Sequence, residues 1–272
     1  MNAMHPRISL HQVAMLDEGT SAFIHHCDAL GLDAMTLVTP ALFQPGTLAV
    51  VERALAGGGP RVGCINHVFA VHPDLECDSG KAASELTRAI DVARDLGCNQ
   101  IYLLSGGRGG LDWEGAAARF AELIAPLRDY GEQWGVRLLV ENAAALNADI
   151  HIAHTLPDAI LLAETAGIGL CLELHACWME AGLKDTIRRA MPLTGLVQVS
   201  DYVLGDRTAP CRAVPGDGVI PLERLLGQVL EAGYQGYFDL ELIGPRIAAE
   251  GPRAASARAA NYLSELLTRL GA

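Results

Sequence analysis

The chain has 272 residues, half of them hydrophobic and 19% charged, so there is ample apolar material for a large core and disorder is excluded. Its formal charge of −12 repels phosphate backbones and anionic membrane surfaces, which argues against nucleic acid and membrane as partners. Seven cysteines, odd in number and without a C-x-x-C pair, read as buried free thiols of a reducing cytosol. The opening MNAMHPRISLHQ lacks the apolar core of a signal peptide, and no uninterrupted membrane span follows, so a cytoplasmic location is expected.

Short β-type runs alternate with helical stretches along the whole chain. The predicted strands are RISLHQVAM (7–15), DAMTLV (33–38), RVGCINHVF (61–69), NQIYLLSG (99–106), VRLLVEN (136–142), IGLCLEL (168–174), GLVQVSD (195–201) and GYFDLELI (236–243). Continuous apolar strands imply burial on both faces, as in a parallel sheet covered by helices. In the helical stretch 81–97, Ala83, Leu86, Ile90, Ala93 and Leu96 fall on one face, and Gly97 is placed to end it. Ala117, Phe120, Leu123 and Ile124 make a similar stripe in 113–135. Thr155-Leu-Pro-Asp158 has the pattern of a capped helix start, and a final helix is predicted over 252–270. Eight β-then-α units of about 34 residues suit an α/β fold of the (β/α)8 TIM-barrel type, a single domain over residues 1–272. A doubly wound open sheet is disfavoured, because no Gly-rich phosphate turn follows an early strand.

In a parallel barrel the carboxyl ends of the strands form the mouth where active sites are built. Strand 3 ends in Asn66-His67 and strand 5 in Glu141-Asn142; strand 6 carries Glu173 and then His175, strand 7 Gln198 and Asp201, and strand 8 Glu241. One Glu after an apolar run is usually the first solvated residue of a loop. Four consecutive strands each offering an oxygen donor point further. Three carboxylates around one mouth repel each other unless a cation compensates. Glu141, Glu173, Gln198 and Glu241 would form a hard oxygen shell, suited to Mn²⁺ or Mg²⁺, with Co²⁺ or Zn²⁺ as substitutes.

These features resemble the sugar phosphate isomerase/epimerase superfamily, the xylose isomerase-like barrels, over nearly the whole chain. IDVARDLGCNQIYLLSG is similar to the family's helix-to-strand passage ending in S/P-G, and LLVEN to its strand 5 with the metal-binding Glu. GLCLELHACW resembles strand 6, LVQVSDY the H-x-x-D strand, and VPGDGVIPLERLLGQVLEAGYQGYFDLEL the closing segment that ends in the last ligand. The resemblance implies the same four metal ligands. Three departures stand out: Glu173 replaces the usual Asp, Gln198 replaces the His of many members, and His175 follows the acidic ligand by two residues where three is usual. Some relatives, bacterial 3-dehydroshikimate dehydratases among them, do carry Gln at the position of Gln198.

The activity implied is metal-assisted proton abstraction beside a carbonyl through an enediolate, giving isomerisation or epimerisation of a keto sugar or related polyhydroxy compound. Glu141 and Glu241 are the expected proton-transfer groups. His67, His175, Asp201 and Arg212 are the expected substrate contacts, and Trp178 with Phe69 an apolar wall or core packing. Arg207 and His72 are expected to be solvated loop residues, and His25-His26 a packing pair. Cys171 and Cys177 have no evident base, so a thiol nucleophile is not expected. The alternative is a metal-dependent lyase of the dehydratase type, for which Gln198 is the hint. An abasic-site endonuclease and a non-catalytic barrel are the remote readings, the first disfavoured by the histidine-poor ligand set and the acidic charge. The expected partner is a small polyhydroxy molecule, and the expected assembly a homodimer, because relatives often pair.

Overall fold

The computed structural model describes residues 3–70 and 74–272; His72 lies outside them. Eight parallel strands form a closed barrel in chain order: β1 (Ile8–His11), β2 (Ala34–Val38), β3 (Arg61–Val68), β4 (Gln100–Leu104), β5 (Arg137–Glu141), β6 (Gly169–Glu173), β7 (Thr194–Val199) and β8 (Phe238–Leu240). Helices follow the strands, as expected for a (β/α)8 barrel. All eight predicted strands exist, each shorter than its predicted run, and the first and last fall short by five residues. After His11 the chain turns into a 3-10 helix, Gln12–Glu18, because side chains satisfy the backbone there. His11 Nδ1 accepts the Val13 N–H, and Gln12 Oε1 accepts the Val38 N–H. Past Leu240 the chain leaves the ladder, and the Ile243 carbonyl accepts the Arg212 N–H instead.

The chain sorts into two compact units, residues 1–63 with 196–272 and residues 64–195. In the second unit, helix Lys81–Asp95 buries Ala82, Leu86, Ala89, Ile90, Val92 and Ala93. Ala83, expected on that face, is only half-buried, and Ala82 takes its place. Helix Trp113–Gln133 buries Ala117, Phe120 and Ile124, with Leu123 at the margin. Phe69 packs edge-on against Phe120 with ring centres 5.6 Å apart, so its place is the core. Thr155 and Asp158 form a reciprocal capping box at the start of helix Leu156–Ala166.

In the first unit, the closing helix runs from Pro252 to Leu270 as predicted and buries Ala255, Ala259, Ala260, Leu263, Leu266 and Leu267. His26 packs against it, its Nε2 2.8 Å from Ser256 Oγ. Arg7 lies over the rings of Tyr234 and Phe238, where its apolar stem and cation cover the foot of β8. All seven cysteines are free; five are buried, Cys211 is half-buried and Cys77 is exposed. Among the described residues no helix is long and apolar enough to cross a membrane.

Candidate active site

In the second unit, β5 and β6 present Glu141 and Glu173 on one face, since Glu141 registers with Cys171 and side chains alternate along a strand. Both are buried, at 5% and 1% exposure. Burying a carboxylate costs several kcal/mol unless it is compensated, so their partners matter. Glu141 Oε2 lies 3.4 Å from Nε2 of His151, itself buried in the loop after β5. Glu173 Oε1 accepts the His175 N–H at 2.9 Å, and the His175 ring lies 3.9 Å from Oε2. His175 therefore does not continue β6. It sits in the single helical turn Leu174–Cys177, and half-buried Trp178 closes that turn.

Asn142 connects the two strands. Its amide N–H donates to the Glu173 carbonyl at 3.0 Å, and its Oδ1 accepts the Glu173 N–H at 2.8 Å. The side chain thus replaces one rung of ladder where β5 has ended, and it locks the end of β6 to Glu141. Sequence reading noticed Asn142 but gave it no task.

His67 stands apart. Asn66 registers with Tyr102, and Tyr102 with Leu139, two residues before Glu141; His67 registers with Leu103 and Val140. Alternation therefore puts Asn66, not His67, on the face of Glu141. Asn66 Nδ2 is buried and has no hydrogen-bond acceptor among the described residues. His67, expected to contact substrate, thus lies off the face of Glu141, and burial pushes its imidazole down to a pKa of about 4. An unfolded chain takes up that proton near pH 6.5. Between those values the unfolded state binds more protons, so this contribution is complete above pH 6.5 and is lost as the pH falls to 4, by about 3 kcal/mol. Urea unfolding of wild type and His67→Phe at pH 7 and pH 4.5 should show a smaller acid loss in the variant.

In the first unit, Gln198 registers with Asp239, and Asp239 with Ser9, which sets all three on one face. Glu241 lies just past the end of β8, near enough for its charge to act on Asp239. Gln198 is fully buried. Arg212 grips Glu241: its Nη2 lies 2.6 Å and its Nε 3.2 Å from Oε2. The expected substrate contact of Arg212 is thus at present a charge partner for a proposed proton carrier.

Deeper along β8 lies a carboxyl that sequence reading passed over. Asp239 Oδ1 accepts from Ser9 Oγ at 2.6 Å and from Thr36 Oγ1 at 2.8 Å, while Oδ2 has no partner among the described residues. Burial raises its pKa, opposed by the His11 ring and the two hydroxyls. His11, buried at the end of β1, was read as ordinary strand and is the other polar group missed here.

Asp201 is not placed to meet a substrate. Its Oδ1 accepts the N–H groups of Tyr202 and Ile220, and its Oδ2 those of Gly216 and Gly218, all at 2.8–3.0 Å. Both oxygens are committed to the backbone of its own loop. Among the described residues no three His, Cys, Asp or Glu side chains are gathered closely enough to hold a metal.

With this geometry in place, comparison with known proteins assigns the class. The sequence profile of the xylose isomerase-like TIM barrel family matches residues 14–266, so the chain belongs to that family. It is 29% identical over 173 residues to a Streptomyces coelicolor protein named "Putative hydroxypyruvate isomerase", a match covering 60% of each chain. It is 22% identical over 157 residues to the fructoselysine 3-epimerase of Shigella flexneri, covering 57% of this chain and 56% of that one. The match therefore spans under two thirds of the length of these curated relatives. The crystal structure of the IolI protein with a bound zinc atom superposes with a TM-score of 0.82, at 16% identity over 97% of this chain and 99% of that one.

Proposed function

We propose that the protein is a divalent-metal-dependent isomerase or epimerase of a keto sugar or related polyhydroxy carbonyl compound. One observation carries it: two carboxylates at strand ends, buried Glu141 and half-buried Glu241, each have one oxygen beside a cationic or cation-capable partner, His151 and Arg212. That arrangement suits groups that must gain and lose a proton at a fixed position. The names of the curated relatives, an isomerase and an epimerase, support the same reading.

Glu141, Glu173, Gln198 and Glu241 are the residues that would hold the metal. They are assigned on donor chemistry and not on a gathered cluster: all offer oxygen, and three bring a negative charge that a hard divalent cation, Mn²⁺ or Mg²⁺, would compensate. When bound, such an ion polarises the substrate carbonyl and acidifies the neighbouring C–H. Glu141 then removes that proton and Glu241 returns one to the same or the adjacent carbon. His151 holds Glu141 Oε2, Arg212 holds Glu241 Oε2, and Asn142 keeps the end of β6 in register beside Glu141.

The test uses purified protein in D₂O with Mn²⁺, offered hydroxypyruvate and a panel of ketohexoses. The expected product carries deuterium beside the carbonyl, and EDTA abolishes its formation. A product with a new absorbing double bond assigns the dehydratase reading instead. Deuterium incorporation undiminished by chelation would overturn the metal requirement.

A further inference from the structure

The loop between β7 and helix Leu222–Glu231 is built around one carboxylate. Asp201 is 1% exposed, and its four acceptor positions are filled by four backbone N–H groups, three of them 15 to 19 residues downstream. Such charge-assisted bonds are about twice as strong as neutral ones, and here they act together. The backbone of Asp201 also forms an antiparallel bridge with Ala213, with N–H to O distances of 2.9 and 2.8 Å in the two directions. Val219 N–H closes the turn on the Tyr202 carbonyl at 2.9 Å. Gly216 has φ of +96°, a conformation that a side chain would strain, and a Cβ at Gly218 would overlap Asp201 Oδ1 and the Tyr202 carbonyl oxygen. The glycines are therefore what let the loop amides reach the carboxylate.

The residue next to the bridge is Arg212. Its N–H is fixed on the Ile243 carbonyl at 3.0 Å, and its guanidinium lies on Glu241. We infer that Asp201 is a positioning residue: by clamping residues 213–220 it delivers Arg212 to Glu241 and so sets the positive charge that competes with a metal ion for that carboxylate. The inference rests on the metal reading above and assigns Asp201 a control over affinity, acting through Arg212, in place of contact with substrate.

The experiment measures Mn²⁺ affinity, by EPR titration of the metal alone, in wild type, Asp201→Asn, Gly218→Ala, Arg212→Gln and the Asp201→Asn/Arg212→Gln double variant. Asn cannot accept all four bonds, and the Gly218→Ala methyl displaces the carboxylate while leaving Asp201 chemically intact. Removing or releasing one nearby positive charge should tighten Mn²⁺ binding by about tenfold in each single variant. The double variant should gain nothing beyond Arg212→Gln. Hydrogen exchange of 213–220 should quicken in Asp201→Asn and Gly218→Ala but not in Arg212→Gln. Tighter binding is a readout that simple loss of structure would not give. Unchanged or weaker affinity in Asp201→Asn and Gly218→Ala, or additive effects in the double variant, would overturn the inference. Should wild type bind no Mn²⁺, the metal reading fails separately. The clamp is then decided by a crystal structure of Asp201→Asn: Arg212 still on Glu241 refutes it, and Arg212 withdrawn supports it.

Discussion

Glu141→Gln and Glu241→Gln should each slow turnover of whichever probe the wild type converts by about 100- to 10,000-fold, the usual weight of a positioned acid or base. Gln keeps the shape of Glu and can still meet its neighbour, so these changes remove proton transfer with little effect on packing. Glu141→Gln should also stop solvent deuterium from entering substrate recovered before equilibrium. Steady-state rates and mass spectrometry of the recovered substrate check both results. Full turnover by Glu141→Gln would remove that residue from the chemistry.

The second large effect belongs to Asn142, whose side chain bonds the backbone of Glu173. Asn142→Ala leaves the N–H and carbonyl of Glu173 buried without their present partners, at a cost of about 3 kcal/mol. For a chain of this size that lowers Tm by about 6–12 °C. Differential scanning calorimetry gives the stability loss directly. The same change frees the end of β6, so turnover should fall further than the lost stability alone explains at temperatures where the variant is fully folded. A Tm within about 1 °C of wild type would show that water replaces the amide without penalty.

The barrel was legible because its strands are apolar throughout and its helices keep a 3.6-residue period. The capping box at Thr155 and the helix from Pro252 to Leu270 were legible for local reasons, since all their signals lie within a few residues. Strand ends were less so. Val13 and Ala14 look like strand, yet the His11 and Gln12 side chains draw the backbone into a 3-10 turn. The carboxylates were visible as polar interruptions of apolar runs; their partners were not. His151 lies ten residues after Glu141 in an aperiodic loop, and no pattern points from one to the other. The choice between Asn66 and His67 depends on inter-strand register, which no single strand reveals. Asp201 had the composition of a substrate contact, but its true partners are amides, and amides have no residue type.

The buried thiols have a practical consequence. Burial raises the pKa of Cys98 to about 12 and holds Cys27 and Cys177 well above the ordinary range, so almost no thiolate exists there at neutral pH. Cys77 is exposed, yet a hydrogen bond to Asp74 keeps it protonated too. The native fold therefore shields its five buried sulfurs from alkylating agents while Cys77 and Cys211 stay within reach, and a molecule that has taken up more than two maleimide tags reports a barrel that has come open.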